Sequence, residues 1–164
     1  MNYHNIVHCD FGNNLEGVGV TLFVSGCDGH PKCKGCHNPQ TWDYDSGIPF
    51  GNRVKKEIFE ALEDDYIKVF TVTGGDPLSP KNREDVLSLL KEVKEKFPTK
   101  HIWLYTGFLY EEVQDLEILE YVDVLVDGPF IEELKDDTCT AFGSSNQRMI
   151  ELRNGKYAKL FNEE

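Results

Sequence analysis

Three cysteines lie close together in the first quarter of the chain. Cys27, Cys33 and Cys36 fall within ten residues, in a loop that also contains Gly29 and Pro31. Cysteine thiolates are the usual ligands of iron–sulfur clusters, which normally have four of them. Three thiolates leave one iron open to a substrate, as an open fourth position distinguishes a catalytic zinc site from a structural one. The spacing therefore indicates a cluster that takes part in chemistry.

The same loop could instead hold zinc. His30 lies between Cys27 and Cys33, so that the four side chains recur at every third position. A Cys3His set of this kind is able to bind tetrahedral zinc. From the loop alone, an iron–sulfur cluster and a zinc-stabilised binding module without catalysis are both open.

A second loop, with two adjacent glycines, separates these alternatives. Gly74 and Gly75, followed by Asp76 and Pro77, come directly after a short apolar run. Adjacent glycines let the backbone approach a ligand closely and adopt angles that other residues avoid. An isolated sequence of this type is typical of an ordinary strand-to-helix turn. Together with the three cysteines it favours a cofactor site, because a structural zinc loop needs no such partner.

The elements that must position these loops alternate between strand and helix. Strands are predicted at 18–25, 67–72, 101–105, 122–126 and 147–152, and helices at about 52–64, 80–97 and 111–120. In the second helix, Ser79 is predicted as the N-cap and Pro80 as the first helical residue. Such alternation predicts an α/β fold with a parallel sheet.

Ligand sites of parallel sheets form at the carboxyl ends of the strands. The cysteine loop, the paired glycines, Thr106 with Gly107, and Asp127 with Gly128 each follow a predicted strand. We therefore expect these four loops to meet at one edge of the sheet.

The composition fits one globular domain, 1–164, and limits the kinds of partner. Acidic residues outnumber basic ones by 29 to 17, which gives a formal net charge of −12. A chain this negative repels phosphate backbones, so no nucleic-acid partner is expected, whereas a partner with a basic docking patch would suit it. The acidic run at 132–137 is predicted to be solvated surface.

The sequence also predicts a cytoplasmic location. No apolar run reaches membrane-spanning length, and the N-terminus lacks the charged-then-apolar pattern of a signal peptide. Three of the five cysteines are bunched, which in a reducing compartment is typical of metal binding rather than of disulfides. Neither a membrane segment nor a membrane partner is expected.

The cysteine triad and the paired glycines together resemble the radical S-adenosylmethionine superfamily. Shorter motifs narrow the resemblance to the activating proteins of anaerobic ribonucleotide reductases. These motifs occur in the same order and cover nearly the whole chain, at 23–27, 36–38 with 41–43, 74–78, 105–107, 124–130 and 143–148.

The resemblance implies a fold, two cofactors and a protein substrate. The fold would be a partial (β/α) barrel, open on one side, with a parallel sheet and helices outside. A [4Fe–4S] cluster and S-adenosylmethionine would be the cofactors. One electron from a donor such as reduced flavodoxin would cleave S-adenosylmethionine, and the 5′-deoxyadenosyl radical would form a glycyl radical on the large subunit of the reductase. The open side of the barrel would admit the glycine loop of that subunit.

The resemblance also implies roles for individual residues. Cys27, Cys33 and Cys36 would bind the cluster. S-adenosylmethionine would be contacted at both of its ends. Its methionine end would meet Gly74, Gly75 and Asp76, and its adenine would lie near Gly35 and His37. Asn146 and Gln147 are further candidates for polar contacts. No side chain is expected to act as a general acid or base.

Three features depart from the family pattern. The family's usual spacing is Cys-x3-Cys-x2-Cys, whereas Cys27 and Cys33 are separated by five residues. Phe142 stands where the family commonly has arginine, and Gly19 stands where a basic residue is frequent. The loop can bulge to keep all three ligands, but the contacts expected from the two basic residues are in doubt.

Other readings remain open at this point. One is another short radical enzyme, such as a different glycyl-radical activase or a deazapurine-synthesising enzyme, although the motifs at 124–130 and 143–148 argue against both. Another is an electron-transfer iron–sulfur protein, for which Cys9 or Cys139 would have to supply the fourth ligand. Neither has ferredoxin-like spacing, and both are predicted to be packed residues.

Overall fold

The structure is a computed structural model, and it describes residues 1–29, 32–138 and 141–161. His30, the candidate fourth zinc ligand, and Cys139 lie outside the described residues. Eight strands form a single sheet in the described part of the chain, in the order β3-β1-β2-β4-β5-β6-β7-β8. Their bounds are β1 Asn2–Asp10, β2 Gly19–Val24, β3 Ile48–Pro49, β4 Val69–Gly74, β5 His101–Tyr105, β6 Val124–Asp127, β7 Arg148–Arg153 and β8 Lys156–Leu160.

The centre of the sheet is parallel, and its two flanks are antiparallel. Strands β2, β4, β5 and β6 pair in parallel. On one side β1 and β3, and on the other β7 and β8, pair antiparallel to their neighbours. Strands β3 and β8 form the two outer edges, so the sheet is open, as in a partial barrel. The predicted parallel α/β architecture is confirmed, with antiparallel flanks that were not predicted.

Three α-helices complete the described fold: α1 (Asn52–Leu62), α2 (Arg83–Lys96) and α3 (Tyr110–Val113). Short 3-10 helices occupy Pro39–Thr41, Glu117–Tyr121 and Glu132–Leu134. None of the helices in the described residues has the length and apolar character that crossing a bilayer requires.

The two faces of the sheet are buried in different ways, because side chains alternate along each strand. On one face, Leu22, Phe70 and Leu104 are fully buried in the main core with the apolar faces of α1 and α2. On the other face, Trp103 and Val126 belong to a smaller apolar cluster. The larger cluster fixes the central strands in register, and their carboxyl ends therefore meet at one edge.

Helix α2 begins three residues later than predicted, at Arg83 rather than Pro80. Its N-cap is Asn82 rather than Ser79, and residues 79–82 form turns. The Asn82 side chain makes no cap hydrogen bond; its Nδ2 donates to the carbonyls of Ser25 (2.9 Å) and Asp76 (3.1 Å). The Ser79 hydroxyl accepts the N–H of Asp28 at 3.2 Å. The prediction was wrong because these side chains connect loops instead of starting a helix.

The prediction of a single helix at 111–120 was also wrong. Two short helices, α3 and the 3-10 helix Glu117–Tyr121, replace it. Leu116 between them has an extended backbone, with ψ of 132°, and packs against the main core. The break lets Ile118 and Leu119 turn into that core, where both are buried.

A buried ion pair joins the end of β6 to the start of β7. Arg148 donates from Nε and from Nη2 to the carboxylate of Asp127, at 3.0 and 2.5 Å, and Asp127 is fully buried. Asp127 also accepts the N–H of Tyr110 at 2.8 Å, which fixes the start of α3. Hydrogen bonds from Arg148 to Asp127 and Glu111 raise the pKa of the guanidinium.

We expect Arg148→Met to destabilise the fold by about 2 kcal/mol, because it leaves a buried carboxylate without its cation. The figure lies below that for a fully buried pair because the Arg148 side chain is 32% exposed. Urea unfolding of the apoprotein would measure the change. Arg153→Met, which removes an exposed arginine from the same strand, is the control and should leave the free energy of unfolding nearly unchanged. Equal losses in both variants would contradict this role for the buried pair.

Candidate cofactor site

The four loops predicted to meet at the carboxyl ends of the parallel strands line the same cavity, whose volume is about 340 Å³. The cysteine loop, the paired glycines, Thr106 with Gly107, and Gly128 after β6 all contribute to its wall. The candidate ligand-binding residues among its lining are Cys27, Cys33, Cys36, His37, Gly74, Gly75 and Asp76. The sequence prediction of a common edge is thus confirmed.

Backbone hydrogen bonds continue the pairing of β2 with β4 past the ends of both strands. The N–H of Gly75 donates to the carbonyl of Val24 at 2.8 Å, and the N–H of Asp76 donates to that of Gly26 at 2.7 Å. The backbones approach so closely that a Cβ on Gly75 would lie 2.4 Å from the Gly26 oxygen. Gly74 has φ of +105°, a conformation that favours glycine. The cysteine loop and the paired glycines are therefore held directly against each other.

A third segment fixes the cysteine loop from its other side. The N–H groups of Gly26 and Cys27 donate to the carbonyls of Thr41 and Trp42, at 2.7 and 3.1 Å. The ring of Tyr44 lies over Gly26, where a Cβ would be only 2.0 Å from the ring. Burial raises the pKa of Tyr44 to about 12. The motif at 41–43 is therefore a support for the first cysteine.

The three cysteines of the triad are free thiols that line the cavity. Burial raises the pKa of the Cys27 thiol. The Cys36 sulfur accepts the N–H of Asn38 at 3.4 Å. Within the described residues, no three His, Cys, Asp or Glu side chains are gathered closely enough to hold a single metal ion. The cysteine ligands of a four-iron cluster bind different irons, so they must share a cavity rather than one point, and these three do.

Asp76 connects the paired-glycine loop to the neighbouring loop after β5. Its Oδ1 accepts hydrogen bonds from the Leu78 N–H and the Thr106 hydroxyl, and its Oδ2 accepts one from the Gly107 N–H, each at 2.9 Å. Burial raises the pKa of the Asp76 carboxyl, and these hydrogen bonds oppose the shift. Both carboxylate oxygens of Asp76 thus accept hydrogen bonds from the protein. The main role of this side chain is to position the loops that line the cavity.

The residues predicted to lie near the adenine occupy different places. His37 lines the cavity, with its ring 5.0 Å from that of Phe130 between centroids. Gly35, with φ of +76°, packs behind Phe130 and Glu132 and is not part of the described lining. Gly143 lies against both rings, since a Cβ there would be 2.8 Å from Phe130. The two rings form an aromatic wall of the cavity.

The motif at 143–148 forms a turn that closes the far side of the cavity. Gln147 accepts the N–H groups of Gly143 and Ser144 at 2.9 and 3.1 Å and donates to the Gly128 carbonyl at 3.1 Å. Asn146 donates to the Pro129 carbonyl at 2.8 Å, and its buried Oδ1 has no hydrogen-bond partner in the described residues. The polar groups of Gln147 therefore hold the turn.

Phe142 and Gly19, the two positions where the family commonly has a basic residue, have different surroundings. Phe142 lines the cavity and packs against the smaller apolar cluster, so the wall is apolar where the family commonly has arginine. Gly19 faces the side chain of Asn14 and the carbonyl of Val69, each 3.0 Å from a Cβ placed there. A long basic side chain at Gly19 would need the space that Asn14 fills.

The sequence prediction missed Asn13, which lines the cavity from the loop after β1. Its Nδ2 donates to Asp10 at 2.6 Å, and its carbonyl accepts the Thr71 hydroxyl at 3.1 Å. Asp10 also accepts the Thr21 hydroxyl at 2.6 Å and the Gly12 N–H at 2.7 Å. The pairing of β1 with β2 brings this loop to the cavity, and no pattern in residues 2–10 indicated a strand there.

This network predicts a pH dependence of stability. Burial alone would raise the pKa of the Asp10 carboxyl, but hydrogen bonds from Asn13, Thr21 and Gly12 lower it below its ordinary value of 3.8. The ionised carboxylate therefore stabilises the fold above that pH, and this contribution is lost as the pH falls through the folded-state pKa. We expect Asp10→Asn apoprotein to be less stable at neutral pH and to lose less stability than wild type between about pH 5 and about pH 2. Urea titrations at several pH values would test this. An equal decrease in the free energy of unfolding on acidification of both proteins would contradict it.

We expect Gly75→Ala to weaken the site by forcing the cysteine and glycine loops apart, since its methyl group would overlap the Gly26 backbone. If the cavity binds S-adenosylmethionine, as the resemblance implies, the variant reconstituted anaerobically with iron and sulfide should bind it about 10-fold more weakly or worse, because bound geometry tolerates little displacement. Gly51→Ala is the matched control, because nothing lies within 4 Å of a Cβ at Gly51. Wild-type affinity in Gly75→Ala would show that the close approach is dispensable.

Comparison with known proteins identifies the family. The domain family described as "4Fe-4S single cluster domain" matches residues 14–150. The chain is 45% identical over 155 residues to an anaerobic ribonucleoside-triphosphate reductase-activating protein of Enterobacteria phage T4, covering 94% of this chain and 97% of that protein. It is 40% identical over 157 residues to the protein of that name from Escherichia coli K12, covering 93% of this chain and 100% of the other.

A third relative of that name, from Vibrio cholerae, is 42% identical over 151 residues, covering 90% of this chain and 96% of the relative. No solved structure matches the chain. Identity at this level over nearly the full length of each relative leaves no ambiguity about kinship. The chain belongs to the family of anaerobic ribonucleoside-triphosphate reductase-activating proteins and contains a 4Fe-4S single cluster domain.

Proposed function

We propose that this chain activates an anaerobic ribonucleotide reductase by means of a [4Fe–4S] cluster and S-adenosylmethionine. One observation carries the proposal: three free thiols and a paired-glycine loop line the same cavity at the carboxyl ends of parallel strands. The names of its relatives supply the protein substrate, an anaerobic ribonucleoside-triphosphate reductase. The resemblance of the sequence to the family implies that the target is the large subunit of that enzyme.

Cys27, Cys33 and Cys36 would hold the cluster and leave one iron open. Held there, the cluster and S-adenosylmethionine would supply the one-electron and radical chemistry needed to remove a hydrogen atom from a glycine of the reductase. The chain contributes a partly buried first ligand, Cys27, and an N–H group of Asn38 directed at the Cys36 sulfur. Hydrogen bonds to the ligand sulfurs are one of the protein's means of setting a cluster's potential. A donor such as reduced flavodoxin would supply the electron.

Gly74 and Gly75 would admit the methionine end of the cosubstrate. They carry no side chains at the cavity edge, so that end can approach backbone groups directly. Asp76 would contribute by holding the loops after β4 and β5 at a fixed separation, through its three accepted hydrogen bonds.

The aromatic wall would receive the adenine. His37 and Phe130 present ring surfaces at the cavity, and a purine packs favourably on such surfaces. Gly35 would act from behind, since its lack of a side chain lets Phe130 and Glu132 pack against the cysteine loop. Of the two further candidates for a polar contact, Gln147 belongs to the described lining of the cavity and Asn146 does not, so Gln147 is the better placed.

The remaining features of the proposal concern the whole chain. Residues 1–164 would act as a single domain, in the cytoplasm, where bunched thiols stay reduced. The gap between β3 and β8 would admit the glycine loop of the reductase. No side chain is assigned as a general acid or base, because the chain's task is to bind, orient and exclude water.

The test is anaerobic incubation with the purified large subunit of the reductase, S-adenosylmethionine and reduced flavodoxin. We expect a glycyl-radical EPR signal on the reductase, with one methionine and one 5′-deoxyadenosine formed per radical. Cys33→Ser should reduce the signal by more than ~100-fold, since it removes a cluster ligand. Cys9 was predicted to be packed but is exposed, and it lies outside the described lining of the cavity, so Cys9→Ser should keep the signal.

Two results would count against the proposal. One is a full-strength glycyl radical with Cys33→Ser, which would exclude the triad as the cluster site. The other is a cluster-loaded wild-type protein that forms no radical with either flavodoxin or a chemical reductant.

A further inference from the structure

A second cavity adjoins the cofactor site on the outer side of the cysteine loop. Its volume is about 640 Å³, larger than the site cavity, and it opens to the surface. The two cavities share Cys27, Cys33, Pro129 and Phe130 among their lining residues. A molecule bound in this second cavity, here called the outer groove, would therefore touch the loop that carries the cluster ligands.

The walls of the outer groove are largely apolar. Phe108, Phe130 and Ile131 line it, and the Arg83 guanidinium covers the Phe108 ring at 5.7 Å from its centroid. Leu134, in the same turn as Ile131, is 43% exposed. Apolar surface of this extent beside a functional site is typical of an interaction surface.

The rim of the outer groove is acidic. Glu112, Glu132 and Glu133 lie on it and are exposed. Its two lysines are already engaged: Lys34 is paired with Glu132 at 3.5 Å, and Lys32 donates to the Cys27 carbonyl. The rim therefore carries more acidic side chains than its two lysines neutralise. A partner with basic groups would pair with the remaining carboxylates.

The acidic segment continues from the outer groove to the cofactor site. Asp136 and Asp137, three and four residues beyond Glu133, line the site cavity. The run at 132–137, predicted as mere solvated surface, therefore connects the two cavities. The chain as a whole has a net charge of −12, which would attract a basic partner towards this side from a distance.

We propose that the outer groove docks a segment of the reductase large subunit that carries apolar side chains together with lysine or arginine. The inference rests on the proposed function and adds to it a docking site separate from the gap that admits the glycine. The apolar side chains would fill the space between Phe108 and Ile131, and the basic groups would pair with Glu112 and Glu133 on the rim. Anchoring there would keep the partner in place while its glycine loop reaches the cosubstrate.

Two variants test the proposal on the reconstituted protein. Ile131→Ser removes an apolar wall, and Glu133→Lys reverses one rim charge. The matched controls are Tyr66→Ser, at a large side chain that is 52% exposed in the turn before β4, and Glu95→Lys, at an exposed position on α2. Anaerobic biolayer interferometry would give the Kd of each protein for the purified reductase large subunit at two salt concentrations.

We expect both groove variants to raise the Kd by about 10-fold or more, as for contacts near the centre of an interface. Glu133→Lys should also reduce its salt dependence. The controls should stay within about 2-fold of wild type, as ordinary surface changes do. Dithionite-driven cleavage of S-adenosylmethionine without reductase should be unchanged in all four variants, which shows that folding and the cofactor site are intact.

The possible failures are distinguishable. Groove variants that bind the reductase like their controls would overturn the docking site and leave the proposed function standing. Weaker self-association or weaker flavodoxin binding, with an unchanged Kd for the reductase, would overturn it in favour of a second copy or the electron donor as occupant. If the wild-type protein neither binds the reductase nor forms a glycyl radical, the proposed function fails and the docking site fails with it.

Discussion

The close approach of two glycines is the constraint on which the site depends. Gly26 precedes the first cysteine and Gly75 belongs to the paired-glycine loop. A side chain on Gly75 would overlap the Gly26 backbone, and one on Gly26 would overlap the Tyr44 ring. Hydrogen bonds from Gly75 and Asp76 continue the β2–β4 pairing through this contact. Parallel pairing alone would bring the two loops to the same edge, but this contact brings Cys27, the proposed cluster ligand, beside the loop proposed to receive the cosubstrate.

Buried polar side chains then fix the remaining loops relative to that contact. Asp76 joins the loops after β4 and β5, Asn82 joins the Asp76 loop to Ser25, and Asp127 joins β6 to Arg148 and α3. Buried polar groups are costly unless every partner is present, so each link defines one arrangement rather than several. Some of the motif residues therefore have a structural role. Asp127 and Gln147 use their polar groups for hydrogen bonds that hold loops of the protein in place. A preorganised cavity of this kind suits chemistry in which the cofactors supply the reactivity.

The sequence was informative where hydrophobic runs end in glycine. Strands β2, β4, β5 and β6 are short and apolar, and each is followed by a loop with glycine, so both the parallel centre and the common edge could be predicted. Strand β1 could not, because Asn2–Asp10 mixes polar and apolar residues and pairs with β2 through two register shifts. Asn13 was missed for the same reason, since its position depends on that pairing. The predicted cap at Ser79 failed because Asn82 and Ser79 bond to distant loops, which no local pattern reveals.

The most direct test of the central claim is low-temperature EPR of the anaerobically reconstituted, reduced protein before and after addition of S-adenosylmethionine. If the cysteine and glycine loops form one site with an open iron, the protein will be brown and its reduced-cluster signal will change when the cosubstrate is added. A colourless protein that holds one zinc per chain, or a cluster signal that S-adenosylmethionine leaves unchanged, would contradict the account.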